Sequence, residues 1–247
     1  MASIDPPAAP RPWGYVSTLG WVIMAHVIGS AAGFAAVHAV RPDAVGSLAD
    51  INDLLKDGWL FALSTLVAAP VMIAVLVLAV RLRSMTVSDY LALTWPSGRV
   101  IGIALAALVV FMPALDGFAY VMGQPIVTPF QIDLYIGAQK SGTLLMLWIA
   151  LVVAAPVWEE IAFRGFLYRG WVRSARSALP AIVIISAFFA ILHLQYNWFG
   201  ILQVFIIGLL LGFARWRSGS TCLTMLMHAV INFYSTVQTV AVLKWMS

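Results

Sequence analysis

The chain has only two glutamates, Glu159 and Glu160, and they are adjacent in an apolar stretch that also holds Arg164. Ionisable groups at membrane depth cost at least ~2.5 kcal/mol each to insert, so they are expected to face the protein interior and to be paired. Four residues separate Glu160 from Arg164, which places both on nearly one helix face and suits an ion pair. Glu159 is rotated by about 100° from its neighbour and stays outside that pair. Two histidines and an amide complete the set. His193 follows Phe189 by four residues, and His228 precedes Asn232 by four. Such a set can hydrolyse a bond without a covalent nucleophile. A carboxylate takes a proton from water, a histidine relays protons near neutral pH, and imidazole and amide N–H groups stabilise a tetrahedral oxyanion. Glu159, His193 and His228 also match the ligand count of hydrolytic zinc sites, so a divalent metal stays open as an alternative.

Each residue has a structural reading beside the chemical one. Glu160 and Arg164 suit an ion-paired helix end, and His193 alone suits a hydrogen-bonded packing residue. The face Thr221, Thr224, His228, Asn232, Ser235 and Thr239 steps by three or four, a polar stripe that lines a cavity or glues two helices together. His26 and His38 have no polar companions at helical spacing and are expected to pack. Asp116 is a weaker site candidate near a span end, and Pro156 removes a helix hydrogen bond just ahead of the glutamates.

The elements that must position these groups are membrane helices. Of 247 residues 62% are hydrophobic and 10% charged, with mean hydropathy +0.96, far from a soluble composition. The expected fold is an all-α polytopic bundle of about seven spans (an eighth is allowed): Gly14 to Val40, Trp59 to Val80, Val100 to Met122, Thr143 to about Trp171, Leu179 to Gln195, Phe199 to Arg215, and Thr221 to Leu243. Residues 1–13 form a tail, 14–142 carry spans of unassigned role, and 143–243 hold the reactive core, all in one membrane domain. The first apolar run is too long for a signal peptide and is expected to be retained.

Arg11, Arg81, Arg83, Arg99, Arg169, Arg173, Arg176, Arg215 and Arg217 fall on one side of this topology. Arg41, Lys56, Lys140 and Lys244 fall on the other, with Asp43, Asp50, Asp53 and Asp57. The expected orientation has the amino terminus cytoplasmic and the carboxyl terminus outside, in a bacterial inner (plasma) membrane. The pI of about 9.5 reflects these loop arginines and implies no nucleic-acid partner. Cys222 is the sole cysteine, which rules out an intrachain disulfide. The pairs Gly29/Gly33 and Gly208/Gly212 allow close helix contacts and carry no functional weight.

The segments Glu-Glu-x-x-x-Arg at 159–164, Phe-x-x-x-His at 189–193 and His-x-x-x-Asn at 228–232 resemble, in order and spacing, the three motifs of the CPBP intramembrane proteases, also called the Abi or CAAX-protease family. The resemblance covers about residues 143–235. It implies an intramembrane endopeptidase acting on a membrane-associated protein or peptide in the lipid bilayer. Glu159 and His193 would activate water, Glu160 would pair with Arg164, His228 and Asn232 would form the oxyanion site, and Phe189 would support them. The preferred mechanism needs no cofactor; zinc held by Glu159, His193 and His228 is the metallo variant. The rival class is a non-proteolytic transporter or binding protein using the Glu/His cluster for protons or a solute.

Depth sets a condition on the catalytic reading. If the fourth span stopped at Arg164, His193 would lie ~20 Å from the surface near which Glu159 sits. The fourth helix must therefore continue to about Trp171, or the fifth must start later or tilt.

Overall fold

The computed structural model describes residues 11–42 and 56–246. The first ten residues of the tail, and Asp43, Asp50 and Asp53 of the first acidic loop, lie outside the described residues. Among the described residues all regular structure is helical. The elements are α1 (Tyr15–Val40), α2 (Gly58–Arg81), the short α3 (Val87–Leu91), α4 (Gly98–Val121), α5 (Pro129–Lys140), α6 (Leu144–Trp171), α7 (Ala175–Ile191), α8 (Trp198–Ser218) and α9 (Thr221–Met246). Six of them, α1, α2, α4, α6, α8 and α9, are long and apolar enough to cross a membrane. The seventh apolar helix, α7, is shorter at 17 residues. The polytopic helical bundle is therefore the fold, and its spans start and stop close to the hydropathy boundaries.

Caps explain several boundaries. Asp57 accepts the backbone N–H groups of Trp59 (3.0 Å) and Leu60 (3.3 Å), so α2 starts at Gly58 and this acidic residue serves a helix end. Ser174 and Ser177 cap each other's backbone, which starts α7 four residues ahead of the expected Leu179. The helix then ends at Ile191. His193 consequently stands in the turn after α7 and not within a span, where its backbone N–H bonds to the Ala190 carbonyl at 3.0 Å. The polar run that follows, Gln195 to Asn197, ends with Asn197 capping α8 through the Gly200 N–H.

Two glycine seams hold helices at backbone distance. A side chain at Gly33 of α1 would meet the Ser64 carbonyl of α2 at 2.7 Å, and one at Gly212 of α8 would meet Ile182 of α7 at 2.6 Å. Both glycine pairs therefore act in packing. The main core lies among α1, α2, α3, α6 and α7 around Met72, Tyr90, Phe163, Phe166 and Phe189. A second, around Met112, Leu211 and Met227, joins α4, α8 and α9.

The helix that carries the glutamates runs unbroken from Leu144 to Trp171, twelve residues past Glu159, as the depth condition requires. It is not uniformly α-helical. Two π-helical stretches, Ala150–Ala154 and Ile161–Leu167, flank the α-helical Ala155–Glu160. In the first, the Ala155 N–H reaches back five residues to the Ala150 carbonyl. The next bond in that register would run from residue 156 to the Leu151 carbonyl, but Pro156 has no N–H to give. Proline here shifts the register and strands one carbonyl, which a side chain from α9 then takes up.

Candidate active site

The centre of the site is a buried chain of charge. Arg164 Nη1 donates to Glu160 Oε1 at 2.9 Å, and His228 Nδ1 meets the same oxygen at 2.9 Å. Glu160 is fully buried and Arg164 is 1% exposed, so this is an interior pair and not a helix end fraying into headgroups. The other arm of Arg164 donates to the Gly208 carbonyl of α8 at 3.0 Å, and its guanidinium lies 4.6 Å from the centre of the Phe189 ring. Gly208 is thus both a packing glycine and an acceptor. Arg164 in turn gives its backbone carbonyl, within the second π-helical stretch, to Arg215 Nε at 3.0 Å. One arginine therefore joins α6, α7 and α8, and its carboxylate partner adds α9.

Glu159 is placed differently. Its side chain keeps 14% exposure, and its charged contact among the described residues is His228 Nε2 at 3.8 Å, beyond hydrogen-bond length. The two ring nitrogens of His228 thus face different glutamates. Nδ1 is bound by the carboxylate that Arg164 fixes, and Nε2 faces the one left open. The two adjacent side chains are thus placed differently, as 100° of helical rotation requires: Glu160 pairs with Arg164 and Glu159 does not.

His193 arrives from the turn after α7. Its Nδ1 lies 2.9 Å from the Phe189 carbonyl, an acceptor only, so Nδ1 carries the hydrogen and Nε2 is left as the acceptor nitrogen. The ring packs against Phe189 (centroids 4.9 Å apart) and stacks on Tyr196 (6.0 Å), which fixes its plane. Phe189 also touches His228 (5.7 Å) and Phe163 (5.3 Å), so it is the spacer that sets both imidazoles and the arginine. Asn232 donates Nδ2–H to the Leu151 carbonyl at 2.8 Å, the carbonyl that Pro156 strands. Its second N–H and its carbonyl oxygen stay available.

Glu159, His193, His228 and Asn232 line one cavity of about 140 Å³, with Tyr196 and Ser235. Glu159 and His193 also line a larger cavity of about 420 Å³ that opens between α1 and α2, walled by Phe61, Met72, Trp158 and Phe163 among others. They stand where a small polar space meets a larger, mostly apolar one. His26 lines the larger cavity with its ring 5.8 Å from Trp158, in keeping with a packing role. Asp116 accepts from Tyr234 (2.6 Å) and Gln238 (2.7 Å) and ties α4 to α9 along a third cavity, of about 120 Å³, that reaches His193 and Asn232. Of the polar stripe on α9, His228, Asn232, Ser235 and Thr239 line the 140 Å³ cavity. Thr221, at the other end, donates to the Leu91 carbonyl at 2.6 Å and acts as glue.

Among the described residues no three His, Cys, Asp or Glu side chains converge as a metal-ligand set. Glu159, His193 and His228 share a wall, and the Nδ1 contacts of the two histidines leave Nε2 as the nitrogen each would offer to a metal.

Tyr196 and the Leu151 carbonyl join the site with no motif spacing to mark them. Tyr196 stands three residues after His193 in a loop, and its phenol is pushed up to about 12 by burial and by the Glu159 carboxylate, so it stays a neutral hydroxyl. Arg215 reads as a loop arginine by position, yet it is buried against Tyr168 at 4.7 Å.

Residues 141–234 match the family model described as type II CAAX prenyl endopeptidase, Rce1-like. That stretch contains all three motifs and every residue of the charge chain, and its ends agree with the 143–235 read from the motifs. No curated protein and no solved structure matches the chain.

Proposed function

From the premise that residues 141–234 belong to the CPBP (CAAX-protease, Abi) family, we propose that the chain is an intramembrane endopeptidase that hydrolyses a peptide bond of a membrane-associated protein or peptide. The observation that carries the proposal is the open carboxylate of Glu159, placed with the acceptor nitrogen of His193 on the wall between a polar and an apolar cavity. A peptide held in the larger cavity would present its scissile carbonyl to water held by these two groups.

In this mechanism Glu159 takes a proton from water, and His193 Nε2 accepts the second O–H and aims the oxygen. The hydroxide adds to the carbonyl carbon to give a tetrahedral intermediate. Its oxyanion is received by the free N–H of Asn232 and by His228, whose Nε2 can carry a proton while Nδ1 is held by Glu160. Glu159 then returns the proton to the leaving amine, so water is consumed and an acid and an amine leave. Glu160 and Arg164 touch no reacting atom; they position His228. Nothing in this sequence of steps passes through a metal. The larger cavity would admit an apolar group next to the cleaved bond.

The test is cleavage of a panel of membrane-tethered peptides, with and without a prenylated cysteine, by purified protein and by His193→Ala and His228→Ala, each with and without a chelator. Specific cleavage lost in both variants and kept with chelator is expected. Unchanged activity in both variants overturns the site, and chelator loss restored by zinc overturns the metal-free steps.

A further inference from the structure

A second polar feature lies apart from the glutamates, at the end of the bundle where α1 begins and α2 and α6 finish. A cavity of about 410 Å³ is lined there by Arg11, Pro12, Arg83, Arg169, Val172 and Arg173. No aspartate or glutamate lines it. Among the described residues none of the four guanidinium groups has a carboxylate within ion-pair distance. Four like charges round one opening repel each other, and an external anion there would relieve that repulsion.

Two of the arginines, Arg83 and Arg173, are held by contacts that leave hydrogen-bond donors unused. Arg83 gives its Nε–H to the Arg11 carbonyl at 2.8 Å and lies 5.0 Å from the Trp13 ring, which is itself fixed by an Nε1–H bond to the Ala79 carbonyl at 2.9 Å. Arg173 lies 4.5 Å from the Tyr15 ring, with its Nε 3.4 Å from the Gly170 carbonyl. Both therefore spend Nε and an aromatic face on support, and keep terminal N–H pairs, the fork that fits a phosphate in bidentate fashion.

We propose that this cavity binds a phosphate group, and that its source is the headgroup of an anionic lipid. The ends of three helices in a membrane bundle, two of them with Trp13, Tyr15 and Trp171 beside them, lie at headgroup depth, where aromatic and basic residues collect. Trp171 donates its Nε1–H to the Tyr15 carbonyl at 3.0 Å, which joins the start of α1 to the end of α6 around the opening. A lipid phosphate here would pin α1 and α2, the helices that wall the larger cavity, to the end of the helix that bears the glutamates.

The test uses the full purified chain in a neutral detergent, titrated separately with phosphatidylglycerol, phosphatidylcholine and inorganic phosphate. Thermal stability and native mass spectrometry of retained lipid are the readouts. Phosphatidylglycerol is expected to bind and stabilise, phosphatidylcholine is not, and Arg83→Gln with Arg173→Gln should weaken the effect by ~5-fold per arginine removed. Because Arg83 also supports the Arg11 segment, Arg169→Gln, which removes a charge but no hydrogen bond, serves as the second variant. Arg217→Gln, outside the cavity, should leave binding intact. Equal phosphatidylglycerol binding by wild type and the cavity variants overturns the site. Inorganic phosphate that stabilises as well as the lipid and displaces it overturns the lipid as the source.

Discussion

Replacing Arg164 with methionine gives the sharpest structural consequence. The side chain is 1% exposed and makes three contacts at once: the 2.9 Å pair with Glu160, the 3.0 Å bond to the Gly208 carbonyl, and the Phe189 ring at 4.6 Å. Methionine keeps much of the volume but leaves a fully buried carboxylate without its cation, which costs ~3–5 kcal/mol when one partner of a buried pair is removed. The Gly208 carbonyl lies within α8 and keeps its helical bond there, so losing the guanidinium adds little to this cost. A loss of about 4 kcal/mol lowers the unfolding midpoint by ~10 °C in a chain of this size. The assay is thermal unfolding of purified protein in one detergent, run as a double-mutant cycle with Glu160→Gln. The double variant should be more stable than Arg164→Met alone, with a coupling of at least ~2 kcal/mol, because the charge left behind is then removed too. A shift under about 3 °C for Arg164→Met, or strictly additive effects in the cycle, would refute the buried chain of charge as a structural unit.

The other predictions concern single contacts. Asn232→Ala leaves the Leu151 carbonyl stranded by Pro156 and should cost ~1–3 kcal/mol in the same unfolding assay, besides slowing cleavage. Gly212→Val forces a Cβ to within 2.6 Å of the Ile182 side chain and should destabilise by ~1–3 kcal/mol, while cleavage by the protein that still folds changes little. His193→Asn keeps a donor at the position of Nδ1, towards the Phe189 carbonyl, but loses the Nε2 acceptor, so the unfolding midpoint should hold while kcat falls ~10²-fold or more.

Much of the fold is legible in the sequence, for identifiable physical reasons. Span boundaries follow from hydropathy, and the different fates of Glu159 and Glu160 follow from 100° of helical rotation. Depth asks that the fourth helix reach about Trp171, or that the fifth start later or tilt, and the fourth does run to Trp171. The missed features depend on backbone detail. Pro156 reads as a kink, but the register change to π-helix, with Asn232 filling the gap it opens, depends on packing between α6 and α9. His193 reads as a span residue because its neighbours are apolar, but α7 ends at Ile191 and leaves His193 in the turn. Helix α5 was missed because twelve residues of mixed polarity do not register on a membrane scale. Its capping box, Thr128 with Gln131 and Pro129 in the first turn, was the available signal. Tyr196 and Arg215 join the site through tertiary contacts that no spacing rule encodes.

The central claim assigns different work to two adjacent glutamates. Its most direct measurement is the rate of peptide cleavage by Glu159→Gln beside wild type, in preparations with matched unfolding midpoints. Glutamine keeps the shape of Glu159, makes no charged partner of it, and cannot take the proton from water. Loss of at least ~10²-fold in kcat with the fold intact is the predicted result. Cleavage at wild-type rate by a folded Glu159→Gln protein would contradict the account.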